Sequence, residues 1–524
     1  MKAKKILLTS MSVLLAAAVI SACGGEKKET STDGPKTFTY WIGMAPTAMS
    51  YIQSYNEMPL YQQREKDSGV HIEFIHPAAG QAQEQFNLMV ASRDMADIIE
   101  FDWPAYQGGT QKAIDDNVIV ALNDYLEHAP NFEKMVNSKD SFRRGSRTLD
   151  GNYFGFTGLP KEAYEHEYIT FGGPSIRRDW LNELGLEMPE TIDEWTNVLT
   201  QFKDKKNASA PITGSGDMMS NFIGAYDIGY RWYADEGKIN FGPMQEEYED
   251  FLKLMNKWYN DGLLDKEYPS NKGNLIDAKI TKGNSGALMT VYINGGMGRY
   301  LQVRDSENPD YDLAAAPYPV LNKGEKNRFG IGSDSISLSY VACISATCKD
   351  IPGVMEWFDY WYTDEGYLLM NYGIEGDTYN MVDGMPTYTD KIAKNPDGLS
   401  MVEAQSTYLR THTTHAGIGR PADDTPRYYP YPQQTEALGV WLPESAERAK
   451  TNIPQIMTSA EVAEELAVIA TDLNSYVEEM EWKFISGEEP IEKLPEFREM
   501  LKKNFKVERY GELMQEQYDK FMSL

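Results

Sequence analysis

The sequence predicts an α/β fold built on an open, mostly parallel sheet with covering helices, and three observations carry that reading. β-rich runs alternate with stretches of helical periodicity from residue 37 onward. The chain has 524 residues, room for two large lobes or about three domains at roughly 150 residues each. Its 41% hydrophobic and 25% charged residues fit a globular protein rather than a disordered, collagen-like or coiled-coil one.

Each element has its own signal. Residues 37–42 (TFTYWI) are β-rich, and a helix is expected over 50–68, closed by Gly69 as glycine closes helices. Strand 70–75 (VHIEFI) leads to a helix over 81–92, where Phe86, Met89 and Val90 have helical spacing. Strand 96–101 (ADIIEF) runs straight into Asp102, Trp103 and Pro104. Such a β-α-β-α-β order gathers ligands at the carboxyl ends of the strands. Two of those ends carry a tryptophan, Trp41 and Trp103.

A second unit begins near residue 165. Helices are expected over 176–184 and 191–203, the latter opened by Thr191 with Glu194 three residues on, a capping box. The 246–261 helix carries Phe251, Leu254, Met255 and Trp258 on one face. A strand over 285–293 is followed by a Pro-, Gly- and charge-rich crossing segment at 311–328. Strand 330–345, helix 351–362 and a helical tail over 458–524, with Val462, Leu466 and Ile469 at core spacing, complete the chain. Trp180, Trp195, Trp258, Trp357 and Trp482 fall on apolar helical faces and read as core.

The first residues are an address rather than fold. Lys2, Lys4 and Lys5 precede a mostly apolar stretch at 6–20, too short for a confident membrane span and the right size for a signal peptide. It ends in Ile20, Ser21, Ala22 and Cys23, which resembles the bacterial lipobox. That resemblance implies cleavage of residues 1–22, a diacylglyceryl anchor on Cys23, and a flexible polar tether over 23–36. The protein is then expected on the extracytoplasmic face of the cell membrane. A net charge of −29 repels phosphate backbones and excludes nucleic acid as a partner. Three cysteines exclude a disulfide scaffold, and Cys343 and Cys348 can be read either as a short-range bridge or as free thiols.

Ordered motifs then identify a family. Residues 86–99 (FNLMVASRDMADII), 176–186 (IRRDWLNELGL), 189–195 (PETIDEW) and 257–265 (KWYNDGLLD) resemble the extracellular solute-binding proteins of bacterial ABC importers, in the carbohydrate-binding group that includes maltodextrin-binding protein. Residues 372–379 (YGIEGDTY), 454–461 (PQIMTSAE) and 484–487 (FISG) are similar to the larger lipoprotein members. The resemblance implies two α/β lobes, each a mostly parallel sheet flanked by helices, closing over a ligand in the cleft. It divides the chain into a first lobe at 37–160 and 326–400 and a second at 161–325 and 401–524. It implies a carbohydrate ligand, delivery to the permease subunits of an ABC transporter, a monomer, and no cofactor. A receptor for a peptide or other non-sugar solute is the alternative on the same architecture.

A sugar offers an apolar face and a rim of hydroxyls, which aromatic rings and short polar side chains recognise. Trp41, Asp102, Trp103 and Tyr106 lie on strand-end loops, and the resemblance strengthens Asp102 and Trp103 as ligand contacts. Residues 290–296 (TVYINGG) align with a family segment that normally ends in Pro-Trp. Gly296 and Met297 stand there instead, so the family's stacking ring is absent and Tyr292 or Tyr300 is its substitute, with Asn294 a further candidate on the same segment. Trp232 in a loop, and Tyr372 and Glu375 on a Gly-rich turn, complete the expected ligand-binding set.

Other chemistry is not written in the sequence. His412 and His415 lack the further ligands that zinc needs. Residues 202–211 (FKDKKNASAP) offer two plausible oxygen ligands and two intruding lysines, so calcium is not expected there. No G-x-S-x-G, S-x-x-K or P-loop is present, and an enzyme is not expected. A polyanionic ligand would need a local basic pocket, for which Arg177, Arg178, Arg231 and Arg299 are the candidates.

Overall fold

The structure, a computed structural model, describes residues 36–161, 172–215, 219–271, 273–306, 308–330, 340–410, 416–420 and 425–524. Cys23 with the segment before it, and His412 with His415, lie outside the described residues.

The first lobe is built as the alternation predicts. Strands β1 (Lys36–Trp41), β2 (Val70–Ile75) and β3 (Ile98–Phe101) run parallel in the order β2-β1-β3. Helix Pro59–Ser68 connects β1 to β2, and helix Ala82–Ser92 connects β2 to β3. The single helix expected over 50–68 is interrupted: short turns at Pro46–Met49 and Tyr55–Glu57 precede the helix that Pro59 opens. Proline lacks an N–H and pre-sets φ, so it suits the first turn and not the interior. Gly69 ends that helix at φ +69°, a left-handed conformation glycine adopts without cost.

β4 (Gly158–Pro160) leaves this lobe. The second sheet has β5 (Gly172–Arg177), β6 (Ile212–Thr213), β9 (Ala287–Tyr292) and β10 (Leu313–Ala315) in the order β10-β5-β9-β6. Between β6 and β9 a hairpin of β7 (Trp232–Asp235) and β8 (Lys238–Phe241) stands apart. β11 (Val341–Ile344) then returns to the first sheet, antiparallel to β3. A second hairpin, β12 (Tyr379–Val382) and β13 (Met385–Tyr388), follows, and β14 (Gly417–Gly419) pairs in parallel with β4. Helices Ala460–Ser486, Leu494–Lys503 and Val507–Ser523 form the tail. Thr191 and Glu194 make the reciprocal capping box at the head of helix Ile192–Lys206.

Separate cores mark the lobes. Phe38, Ile98, Phe132, Phe156 and Phe358 pack in one, and Ile176, Trp195, Phe202, Trp258 and Phe484 in another. Trp180, Trp195, Trp258 and Trp357 are buried as expected, and Trp482 is partly buried against the second core. The expected lobe boundaries at 326 and 401 shift. Phe329 packs in the second-lobe core, while Ala404, Leu409, Ala416 and Ile418 pack in the first. Electrostatics explains the later boundary: buried Glu100 on β3 accepts hydrogen bonds from Arg410 at 3.0 Å and Tyr40 at 2.7 Å. Removing either charge would strand the other in the core. Cys343 and Cys348 are free, buried thiols, and burial pushes both above the usual thiol range.

Candidate functional site

β3 delivers the chain to a turn that meets the C-terminal tail. Phe101 ends the strand, residues Trp103–Ala105 form one turn of 3-10 helix, and Gly108 and Gly109 lead into helix Gly109–Asp115. Both glycines have positive φ, +98° and +78°, and a side chain on either would collide with Ala460 or the Thr458 carbonyl of the tail. Close approach of the tail to this turn therefore requires glycine at this pair. Beside this contact opens a cavity of about 1020 Å³. One wall includes Asn87, Val90, Tyr106 and Lys112; the other is the start of helix Ala460–Ser486, with Ala460, Ala463 and Glu464, a helix whose later residues Leu473, Val477 and Phe484 pack in the second-lobe core. The volume is at the upper end of the range for small-molecule sites.

Among the described residues, Tyr106 is the one predicted ligand residue on the wall itself. Its half-buried ring stands edge-on to Phe86 at 6.3 Å, and its hydroxyl donates to Asp116 Oδ2 at 3.1 Å. Burial, with the Asp116 carboxylate beside it, raises the phenol above its ordinary value. Lys112, bound to Asp116 at 2.6 Å, holds that carboxyl below the usual range. Asp102, at the end of β3, is half-buried, and its carboxylate has no hydrogen-bond partner among the described residues. Burial pushes its carboxyl upward. An acceptor already partly stripped of water and left unpaired is suited to a hydroxyl donor.

The other predicted residues are placed differently. Trp103 is fully buried, edge-on to Phe86 and Phe101, with its Nε1–H donating to the Val341 carbonyl at 2.9 Å. Trp41 is buried in the same cluster. The premise that these rings have no core role is corrected: a small satellite core under the strand ends absorbs both. Trp232 is likewise a packing residue, stacked between Phe241 at 4.5 Å and Tyr510 at 4.8 Å, so neither face is left for a sugar. Tyr372 is buried among Tyr367, Tyr379 and Tyr388, which corrects its reading as a ligand contact. Glu375 is exposed on the turn before β12. Tyr292 is 52% exposed at the carboxyl end of β9, and Asn294 sits in the wide turn Ile293–Met297 that follows.

Sequence reasoning missed the wall made by helix Ala460–Ser486. The 454–461 motif marked the family, yet what matters at Ala460 and Ala463 is small size, which leaves room rather than making contact.

Comparison with known proteins follows this geometry. Residues 46–367 match the family described as bacterial extracellular solute-binding protein, and the chain belongs to that family. It is 24% identical to the fructooligosaccharide ABC transporter substrate-binding protein FusA of Streptococcus pneumoniae, over 98% of each chain. It is 23% identical to lipoprotein LipO of Bacillus subtilis, covering 74% of this chain and 76% of that one. Among solved structures, an HMO-binding ABC-transporter-associated solute-binding protein of Bifidobacterium longum infantis superposes with a TM-score of 0.73. That structure is 16% identical, with 94% of this chain and 100% of that one covered. The fold is thus the two-lobed solute-binding fold.

Proposed function

We propose that this chain is the lipid-anchored receptor of an ABC importer, which captures an oligosaccharide or sugar derivative outside the membrane and hands it to the permease. The carrying observation is the cavity of about 1020 Å³ between the first lobe and the helix that runs into the second-lobe core, with Tyr106 on its wall. Asp102 stands as an unpaired acceptor at the adjoining strand end. Sugar-binding relatives, FusA and the HMO-binding protein, support the ligand class. The lipoprotein relative supports an anchor at Cys23. Tyr292, exposed at the end of β9, and Glu375, exposed on its turn, are further ligand contacts on this reading. The receptor acts by closing and opening, without turnover, and works as a monomer.

Thermal unfolding of the signal-cleaved chain with a panel of neutral and acidic oligosaccharides, and with short peptides, tests this. A ligand at 100 times its Kd adds about 2.7 kcal/mol, about 1–3 °C for a chain of this size. A shift with one glycan class is expected. A shift with peptides alone would overturn the sugar reading and move the assignment to a peptide receptor.

A further inference from the structure

The charges around the cavity narrow the ligand, on the proposal that the cleft holds an oligosaccharide. Three charged side chains form its wall: Lys112, Asp116 and Glu464. Lys112 is committed to Asp116, which also accepts from Tyr106. Glu464 has no ion-pair or hydrogen-bond partner among the described residues. The neighbouring Arg93 spends both terminal nitrogens on backbone, donating to the carbonyls of Asn117 at 2.7 Å and Asp116 at 2.8 Å.

The arginines that the sequence offers for an anion are occupied as well. Arg177 binds Asp179 through Nε at 2.7 Å and lies against the Trp180 and Tyr311 rings. Arg178 holds Asp312 at 2.6 Å and Glu436 at 2.8 Å. Arg231 pairs with Glu481 at 2.9 Å, and Arg299 with Asp277 at 2.8 Å. Asp102 adds a further unpaired carboxylate at the strand end.

An acidic sugar entering this cleft would surrender hydration of its carboxylate, meet an unpaired carboxylate on the wall, and find no unengaged guanidinium or ammonium on that wall among the described residues. Nothing would offset that desolvation. A neutral sugar loses little by comparison, because hydroxyls can donate to the same oxygens. We infer that the cleft accepts uncharged oligosaccharides and rejects uronate-bearing ones, with Glu464 the side chain that enforces rejection. This is specificity by repulsion, a wrong partner penalised rather than the right one rewarded.

The test is titration calorimetry on the full signal-cleaved chain, at low and high salt. The neutral probes are maltotriose, kestose, xylotriose, mannotriose and lacto-N-tetraose; the acidic probes are trigalacturonate and trimannuronate; tetra-alanine is the peptide control. Binding is expected among the neutral probes alone. Glu464→Lys is read as the ratio of trigalacturonate affinity to neutral-glycan affinity on the same protein. That ratio should rise by roughly 15-fold, the effect of a two-charge change acting at roughly 5 Å through water. That gain should fade at high salt. Wild-type protein that binds either uronate as tightly as any neutral glycan would overturn the inference and leave the sugar receptor standing. Binding of tetra-alanine alone would overturn both. A Glu464→Lys variant that still rejects uronates would remove Glu464 from the role.

Discussion

Replacing Trp103 by alanine separates a packing role from a ligand role more cleanly than any other single change. The indole is fully buried, packs edge-on against Phe86 at 5.6 Å and Phe101 at 5.9 Å, and ties β3 to β11 through the Val341 carbonyl. Truncating a buried tryptophan costs about 3–5 kcal/mol, and the orphaned carbonyl adds about 1 kcal/mol. A lobe of roughly 200 residues unfolds with an entropy of about 0.4 kcal/mol/K, so a loss of about 4 kcal/mol lowers its Tm by about 10 °C. Calorimetric unfolding of wild type, Trp103→Ala and Asp102→Asn measures this directly, with ligand titration on each. Trp103→Ala should lose stability, and affinity only as far as the strand end is disturbed. Asp102→Asn, which breaks no hydrogen bond among the described residues, should keep its Tm within about 1 °C and lose affinity. A Trp103→Ala protein with unchanged Tm and abolished binding would refute the packing argument and restore the indole to the ligand.

Four further outcomes follow from the same geometry. Arg410→Met strands the buried Glu100 and should cost about 3–5 kcal/mol. Burial already raises the Glu100 carboxyl despite Arg410. Without the arginine it rises further, so denaturant unfolding should show a deficit greatest at neutral pH that shrinks as acid protonates it. Glu194 is depressed to about 2, held there against burial by Lys323 and the two N–H groups at the helix head. Its contribution is present above the ordinary carboxylate range and lost as pH falls toward that value, so the stability gap between wild type and Glu194→Gln should close in acid. Tyr106→Ala removes the ring on the cavity wall and should weaken a sugar by about tenfold, the worth of about 1.4 kcal/mol of aromatic contact, with ligand titration as the readout. Cys23→Ser removes the anchor and should move the protein from the membrane to the soluble fraction, as fractionation and blotting would record.

Signals confined to a few neighbouring residues were legible, because the physics that reads them is local. Thr191 and Glu194 form the capping box, Gly69 takes the left-handed cap, and the alternation of β1, β2 and β3 with helices gives the parallel order. Pro59 was the local signal misread, a helix start taken as helix interior. Long-range placement was not legible. Nothing near residue 401 announces that this segment stays with the first lobe, since the reason is Glu100, 310 residues away from Arg410. The aromatic candidates failed for a related cause. A ring at a strand end has two ways to gain free energy, burial against a neighbour or contact with a ligand, and sequence shows only that a ring is there. Trp103 and Trp232 found neighbours: Phe86 and Phe101 for one, Phe241 and Tyr510 for the other. Tyr106 is only partly covered, by Phe86 and Trp103, and lines the cavity. The residues left for a ligand are therefore those whose partners run short: an unpaired Asp102, a half-covered Tyr106, an exposed Tyr292. Incomplete satisfaction, which would be a fault in a core, is what a receptor must keep in reserve for a guest that it binds and then releases.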